Sequence, residues 1–247
     1  MAPPPASHRL DAASIVVTLE RLCARIGERF PAAHLGAVCG ELVATGRNTA
    51  RSVSQMARPI LWLRVLTALI VLAWLGGTGF VLAEVDWIEI GRRADATSLA
   101  QGLDSVVNLL LLAGAAIWFL VTFERRWKRS RILSALYGLR SFAHVIDMHQ
   151  LTKDPTAILG KGQPTASSPE RRMTEFELAR YLEYCAEMLA LTAKLAALYA
   201  SASDDEQVMA AVNDVEDLAS NLGRKIWQKI MIISQLDESR AGVANTA

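Results

Sequence analysis

Two uncharged stretches limit what this chain can become. Residues 65–83, "VLTALIVLAWLGGTGFVLA", and 105–123, "SVVNLLLLAGAAIWFLVTF", hold no charged side chain. As a helix rising about 1.5 Å per residue, each would be about 28 Å long, close to the about 30 Å of bilayer hydrocarbon. Two buried core helices are the alternative, but core helices seldom lack a charge for so long, and here there are two such runs. The pattern predicts an all-α protein, a two-span transmembrane helical hairpin continuous with a cytoplasmic antiparallel helical bundle.

The flanks orient the hairpin. Arg47, Arg51, Arg58 and Arg64 precede the first run, and Arg125, Arg126, Lys128, Arg129 and Arg131 follow the second. The connection between them carries Arg92 and Arg93 but also Glu84, Asp86, Glu89, Asp95 and Asp104. The positive-inside rule then places both termini in the cytoplasm and the short loop outside. Trp62, Trp87 and Trp127 fall near the expected interfaces, and Arg64 at the inner edge can snorkel toward water along its apolar stem. Arg58, Arg64, Arg125, Arg126, Lys128 and Arg129 are read as lipid head-group or orientation contacts, about 1 kcal/mol each near an anionic surface. The run "ERRWKRSR" is a candidate for nucleic acid by composition, but its place at the end of a span favours lipid. A net charge of only +1 likewise gives no bias toward nucleic acid. The alanine-rich, lysine-poor composition points to a bacterial inner membrane.

Within the hairpin, Gly76, Gly77 and Gly79 on one helix and Ala113, Gly114, Ala115 and Ala116 on the other permit the close backbone approach that drives helix association in lipid. Asn108 is the strongly polar residue of these runs, and a lone amide there seeks Thr78, a second copy's Asn108, or water at the outer end.

The remainder reads as helix throughout. Residues 1–10 are proline- and alanine-rich and predict a disordered tail without a secretory signal. Residues 11–58 form N-terminal helices: Ile15, Leu19, Leu22, Ile26 and Phe30 recur at three and four, Pro31 interrupts, and a second run follows through Leu35, Val38, Leu42, Thr45, Thr49, Val53 and Met56. Gly36, Gly40 and Gly46 weaken that second run. The first span then covers 59–84, an external loop 85–104 and the second span 105–123. A juxtamembrane helix over 124–154 carries the stripe Ile132, Leu136, Leu139, Ala143 and Ile146. Residues 155–173 are a linker; their Gly-Lys-Gly lacks the spacing and preceding strand of a phosphate loop. A helical hairpin over 174–238 opens with a capping box at Thr174 and Glu177 and buries Leu178, Leu182, Cys185, Leu189, Thr192, Ala196 and Tyr199. A second capping box at Ser203 and Glu206 opens its last helix, with Val208, Val212, Val215, Ala219, Leu222, Ile226, Ile230 and Ile233 inward and a possible kink at Gly223. Residues 239–247 are a tail.

Cysteines number three, an odd count at wide spacing without Cys-x-x-Cys, so Cys23, Cys39 and Cys185 read as helical packing rather than a disulfide framework or zinc site.

The chemically able stretch is "HVIDMHQLTKDP", 144–155. On a helix, Arg140, His144 and Asp147 share a face, while His149 lies about 140° from His144, so the two histidines do not converge as a metal pair. The bland reading is a charged helix face. A hydrolytic or metal site would need acids from other helices, such as Glu175, Glu177, Glu183, Glu187 or Asp214, and the Glu-x-x-His signature is absent. Recognition of a partner or ligand by Arg140, His144, Asp147 and His149 is the remaining role, which histidine could make pH-dependent. His8 and His34 are isolated and read as structural.

The functional expectation is a non-enzymatic membrane protein without cofactor or metal. Its bundle binds a cytoplasmic protein partner or ligand and couples to the hairpin, and its partners are membrane lipid and further copies of itself. A pore would need several copies, lined by faces bearing Asn108 and Thr122. The alternatives are a passive anchor or scaffold, and a membrane-anchored enzyme around His144 and Asp147.

Overall fold

In the computed structural model, residues 10–56, 61–84, 96–153 and 173–244 are described. Among them every regular element is α-helical: α1 (Ala12–Arg29), α2 (Leu35–Met56), α3 (Leu61–Glu84), α4 (Ala96–Leu151), α5 (Glu175–Ala200) and α6 (Glu206–Ala244). The chain divides into two compact units, one of Met1–Ala57 with Arg131–Ala247, the other of Arg58–Ser130.

The first unit is a helical bundle whose registers follow from its contacts. α1 and α2 form an antiparallel hairpin: Leu19 lies against Gly46 and Ile26 against Gly36. Phe30 closes α1 with its rings edge-on to Tyr181 and Tyr184 of α5, 5.5 Å and 6.2 Å between centroids. Arg25 reaches Glu187 at 2.5 Å, so α1 runs antiparallel to α5. α2 runs parallel to α5, with Gly46 beside Leu195 and the Tyr199 hydroxyl 3.4 Å from the Thr49 hydroxyl. α5 packs most extensively on α6.

The stripes expected on α1, α4 and α5 are buried: Ile15, Leu19, Leu22 and Ile26; Ile132, Leu136, Leu139, Ala143 and Ile146; and Leu178 through Tyr199 at their alternating spacing. That of α6 is buried except for half-buried Ile230, and α2 inserts Leu35, Val38, Leu42 and Thr49. α5 goes further than its single stripe. Tyr181, Tyr184, Met188, Leu191, Leu195 and Leu198 are buried as well, because helices lie on more than one side of it. Cys39 and Cys185 are buried free thiols and Cys23 is half-buried. Burial, and for Cys39 also the neighbouring Cys23, push both buried thiols up to about 12, which leaves them protonated and unreactive.

The ends of elements differ from expectation in three places. The cap of α6 is Asp205, whose carboxylate accepts the N–H groups of Gln207 (3.0 Å) and Val208 (3.3 Å). Ser203 instead accepts the N–H of Asp205 at 3.3 Å, so the expected Ser203–Glu206 box does not form. A carboxylate two residues closer to the helix outcompetes the serine. α4 starts at Ala96, well before 105, because hydropathy marks where lipid would end and says nothing about where Ala, Leu and Gln stop favouring helix. α6 continues to Ala244, past the expected end at 238. The capping box at α5 forms as expected: Thr174 accepts from the Glu177 N–H (3.2 Å) and Glu177 from the Thr174 N–H (2.8 Å). Asp11 caps α1 through the N–H groups of Ala13 and Ser14. The tail 1–9, the stretch 85–95, the linker over 154–172 and residues 245–247 lie outside the described residues.

The second unit inverts the burial pattern. Leu61, Trp62, Val65, Leu69, Leu72, Leu75 and Phe80 of α3 are exposed, as are Val106, Val107, Leu109 through Leu112, Trp118 and Phe119 of α4. Among the described residues one helix is long and apolar enough to cross a membrane, the stretch Val106–Leu151 of α4, and none of its most apolar window is buried within the chain. Val65–Phe80 of α3 is a shorter apolar helix.

Candidate functional site

The residues singled out around 144–155 separate into three places on the bundle. α4 fixes the division, since its inner stripe must face the core and everything else takes its angle from that.

Arg140 and His144 are exposed, His144 on the outer side of α4 and Arg140 at the border of that side. His144 shares that side with Tyr137 (63% exposed), Met148 (68%) and Leu151 (60%). Asp147 does not join them. It sits at the flank, half-buried, where its carboxylate accepts the side-chain N–H of Gln150. Gln150 is buried, and its backbone and side-chain oxygens both accept from Lys229 of α6, at 3.0 Å and 2.6 Å. Asp147 is thus the first member of a chain of polar contacts that ties the end of α4 to α6. Satisfied polar networks of this kind hold helices in one register.

His149 turns to the other side. Its ring stacks on that of His34, 5.6 Å between centroids and 17° apart, which joins the end of α4 to the residue just before α2. Lys153 is near His149, and its ammonium lies 5.1 Å from the Tyr181 ring centroid. Burial, then the charges of His34 and Lys153, hold the His149 imidazole below its ordinary value. Burial also raises the Tyr181 phenol. At the same end of the bundle, Phe176 is flanked by Arg29 and Arg180 at 5.4 Å and 5.8 Å.

Sequence reasoning missed three members of this arrangement. His34 was set aside as isolated, and Gln150 and Lys229 were not considered. His34 and His149 are far apart in the chain, as are Gln150 and Lys229, so no local pattern could have paired them. Among the described residues no three His, Cys, Asp or Glu side chains come together as metal ligands would.

In the apolar unit, a Cβ at Gly76, Gly77, Gly79 or Gly114 would meet nothing within 4 Å. No neighbouring helix of the same chain packs closely at these glycines. Asn108 is exposed, and the Thr78 hydroxyl is spent on the Trp74 carbonyl one turn back (2.7 Å), as Thr122 is on that of Trp118 (2.6 Å). Lys128 pairs with Glu124 at 2.9 Å along α4, while Arg125 and Arg126 are exposed and Arg129 half-buried. Arg58 and the side chain of Arg64 lie outside the described residues.

No protein-family model matches the chain, and neither a curated protein nor a solved structure matches it.

Proposed function

We propose that this is a non-enzymatic integral protein of a bacterial inner membrane. It crosses the bilayer twice through α3 and the apolar part of α4, with both termini in the cytoplasm. Its bundle binds a protein partner or ligand, and the outcome is passed to the hairpin, which works as an oligomer.

One observation carries the reading. α4 is a single helix from Ala96 to Leu151 whose most apolar window holds no buried residue and whose last turns supply Ile132, Leu136, Leu139, Ala143 and Ile146 to the bundle core. A fully exposed run of Val, Leu, Trp and Phe is unstable in water, and lipid is the solvent that removes the cost. An unbroken helix with one end in that solvent and the other in a packed core is a physical route between the two. The open glycines of the apolar unit support packing between copies, since none is used within the chain.

Reporter fusions test the topology. A reporter active only outside the membrane, joined after Ala247, is silent, and the same reporter inserted between 85 and 95 is active. Activity at the terminus, or a protein that stays in solution without detergent, ends the proposal. Exchange of both apolar helices for an unrelated hairpin then separates coupling from passive anchoring. Loss of function supports coupling, and retained function shows that the hairpin serves only as an anchor.

A further inference from the structure

We propose that the outer face of α4 within the bundle docks an acidic amphipathic helix of a partner protein. This deepens the reading of the bundle as the receiving part and rests on it. The inner row of α4 steps by four, three, four and three residues: Ile132, Leu136, Leu139, Ala143, Ile146, all buried. Directly opposite, Tyr137, Ser141, His144, Met148 and Leu151 step in the same way, and all are exposed. Such spacing is the seam along which a second helix runs nearly parallel, at a crossing of about 20°. The bundle fills the first seam and leaves the second open.

The open seam is apolar where a helix partner needs it to be. Tyr137 is 63% exposed, Met148 68% and Leu151 60%, with Val145 beside them at 37%. From Tyr137 to Leu151 it extends about 21 Å, the length of a four-turn helix. Val145, Met148 and Leu151 adjoin at one end of the row, with Tyr137 at the other, and exposed apolar side chains grouped on a soluble surface mark an interaction site.

Charge chooses the partner. The exposed charged group bordering this face is Arg140, and His144 stands in the row itself; neither the row nor its exposed neighbours on α4 between Tyr137 and Leu151 include a carboxylate. The nearest acid on the helix, Asp147, is half-buried and engaged with Gln150. The complement is a helix with an apolar stripe bordered by Asp or Glu. A second copy fits less well. Copies in one membrane run in the same direction, so pairing in register through this seam sets Arg140 against Arg140 and His144 against His144, with no acid between them.

The test uses the full chain in discs of zwitterionic lipid. The probes are two labelled synthetic helices of about 15 residues, with the same leucine stripe, one bordered by Glu and the other by Lys. Fluorescence anisotropy is expected to show binding of the Glu helix and little of the Lys helix, with empty discs as the baseline. Arg140→Glu weakens the Glu helix by about tenfold and strengthens the Lys helix. Tyr137→Ser with Met148→Ser abolishes both while leaving the melting curve unchanged, because both residues are exposed. Equal binding of the two helices, binding that survives the Tyr137 and Met148 changes, or no binding beyond empty discs overturns the proposal. So does a loss of oligomer mass in the Tyr137 and Met148 variant, which would show that a second copy covers the seam. A chain whose reporters keep the proposed topology but which fails these tests loses only the docking surface, whereas reversed reporters remove the parent reading.

Discussion

Protonation of His149 is opposed by its surroundings, and the sense of that opposition fixes a pH dependence. Burial disfavours the imidazolium first; His34 on the α2 side and Lys153 beyond the end of α4 add like charge, and Tyr181, whose ring lies against Lys153, stays neutral. A histidine held below its ordinary value of 6.5 contributes stability in full above that value and loses it as pH falls through the lower, folded value. The melting temperature of the full chain therefore drops between neutral pH and pH about 5, and His149→Phe flattens that slope while keeping a ring against His34. The drop is modest, since His149 is only half-buried and water screens part of the repulsion. A slope unchanged by the substitution would locate the pH response elsewhere. His149 also shows where sequence reading stops. Its divergence from His144 follows from helix geometry and was available in advance. Its partner His34 was not, because only the folded bundle brings α2 against the end of α4.

Helices themselves were the part of this fold most accessible from the residues. Stripes at three and four are a direct consequence of 3.6 residues per turn, so the inward faces of α1, α4, α5 and α6 could be named before any coordinates. Centrality could not. Nothing in α5 as a single stripe distinguishes a helix covered on one side from one covered on several, and Tyr184, Leu191 and Leu198 are buried by neighbours that the stripe does not reveal. Glycines in α2 carry a related lesson. Gly40 and Gly46 weaken the helix equally on propensity, yet the structure separates them. A Cβ on Gly40 meets nothing within 4 Å, whereas one on Gly46 lies 3.1 Å from Leu19 Cδ1 and 3.5 Å from Leu195 Cδ2. Gly46 is the place where three helices come together. Gly40→Ala consequently stabilises the chain by about 0.5–1 kcal/mol, through helix propensity alone. Gly46→Leu costs about 1–3 kcal/mol, because its side chain must displace buried Leu19 and Leu195. Chemical denaturation of the two variants reads both signs, and a neutral Gly46→Leu would mean that α1, α2 and α5 do not meet as described.

At the scale of the molecule, two solvents are written into one chain. Among the described residues, all of the buried apolar core comes from the unit built of 1–57 and 131–247, and the 58–130 unit contributes none of it. Each described part therefore satisfies its own environment: the bundle hides its Leu and Ile from water, and α3 and the first half of α4 leave theirs in the open. A bundle whose core owes nothing to the excised residues should survive their removal. Replacement of 58–130 by a Gly/Ser linker of about 12 residues, flexible enough not to impose a geometry, is expected to give a protein that stays in solution without detergent. It should melt cooperatively, with the stability expected of a domain whose helices still interlock through Phe30, Leu195 and Lys229. Residues 58–130 fused to a soluble reporter are expected in the membrane fraction. Circular dichroism and fractionation check the two halves separately. Aggregation of the shortened chain would mean that the bundle depends on the apolar unit for more than attachment, and a soluble 58–130 fusion would mean that its exposed Leu, Trp and Phe are covered by something other than lipid. The experiment also sets the terms for coupling. If the bundle is stable alone, the unbroken helix α4, whose core stripe begins at Ile132, is one covalent route to the apolar helices, and the chain between α2 and α3 is the other.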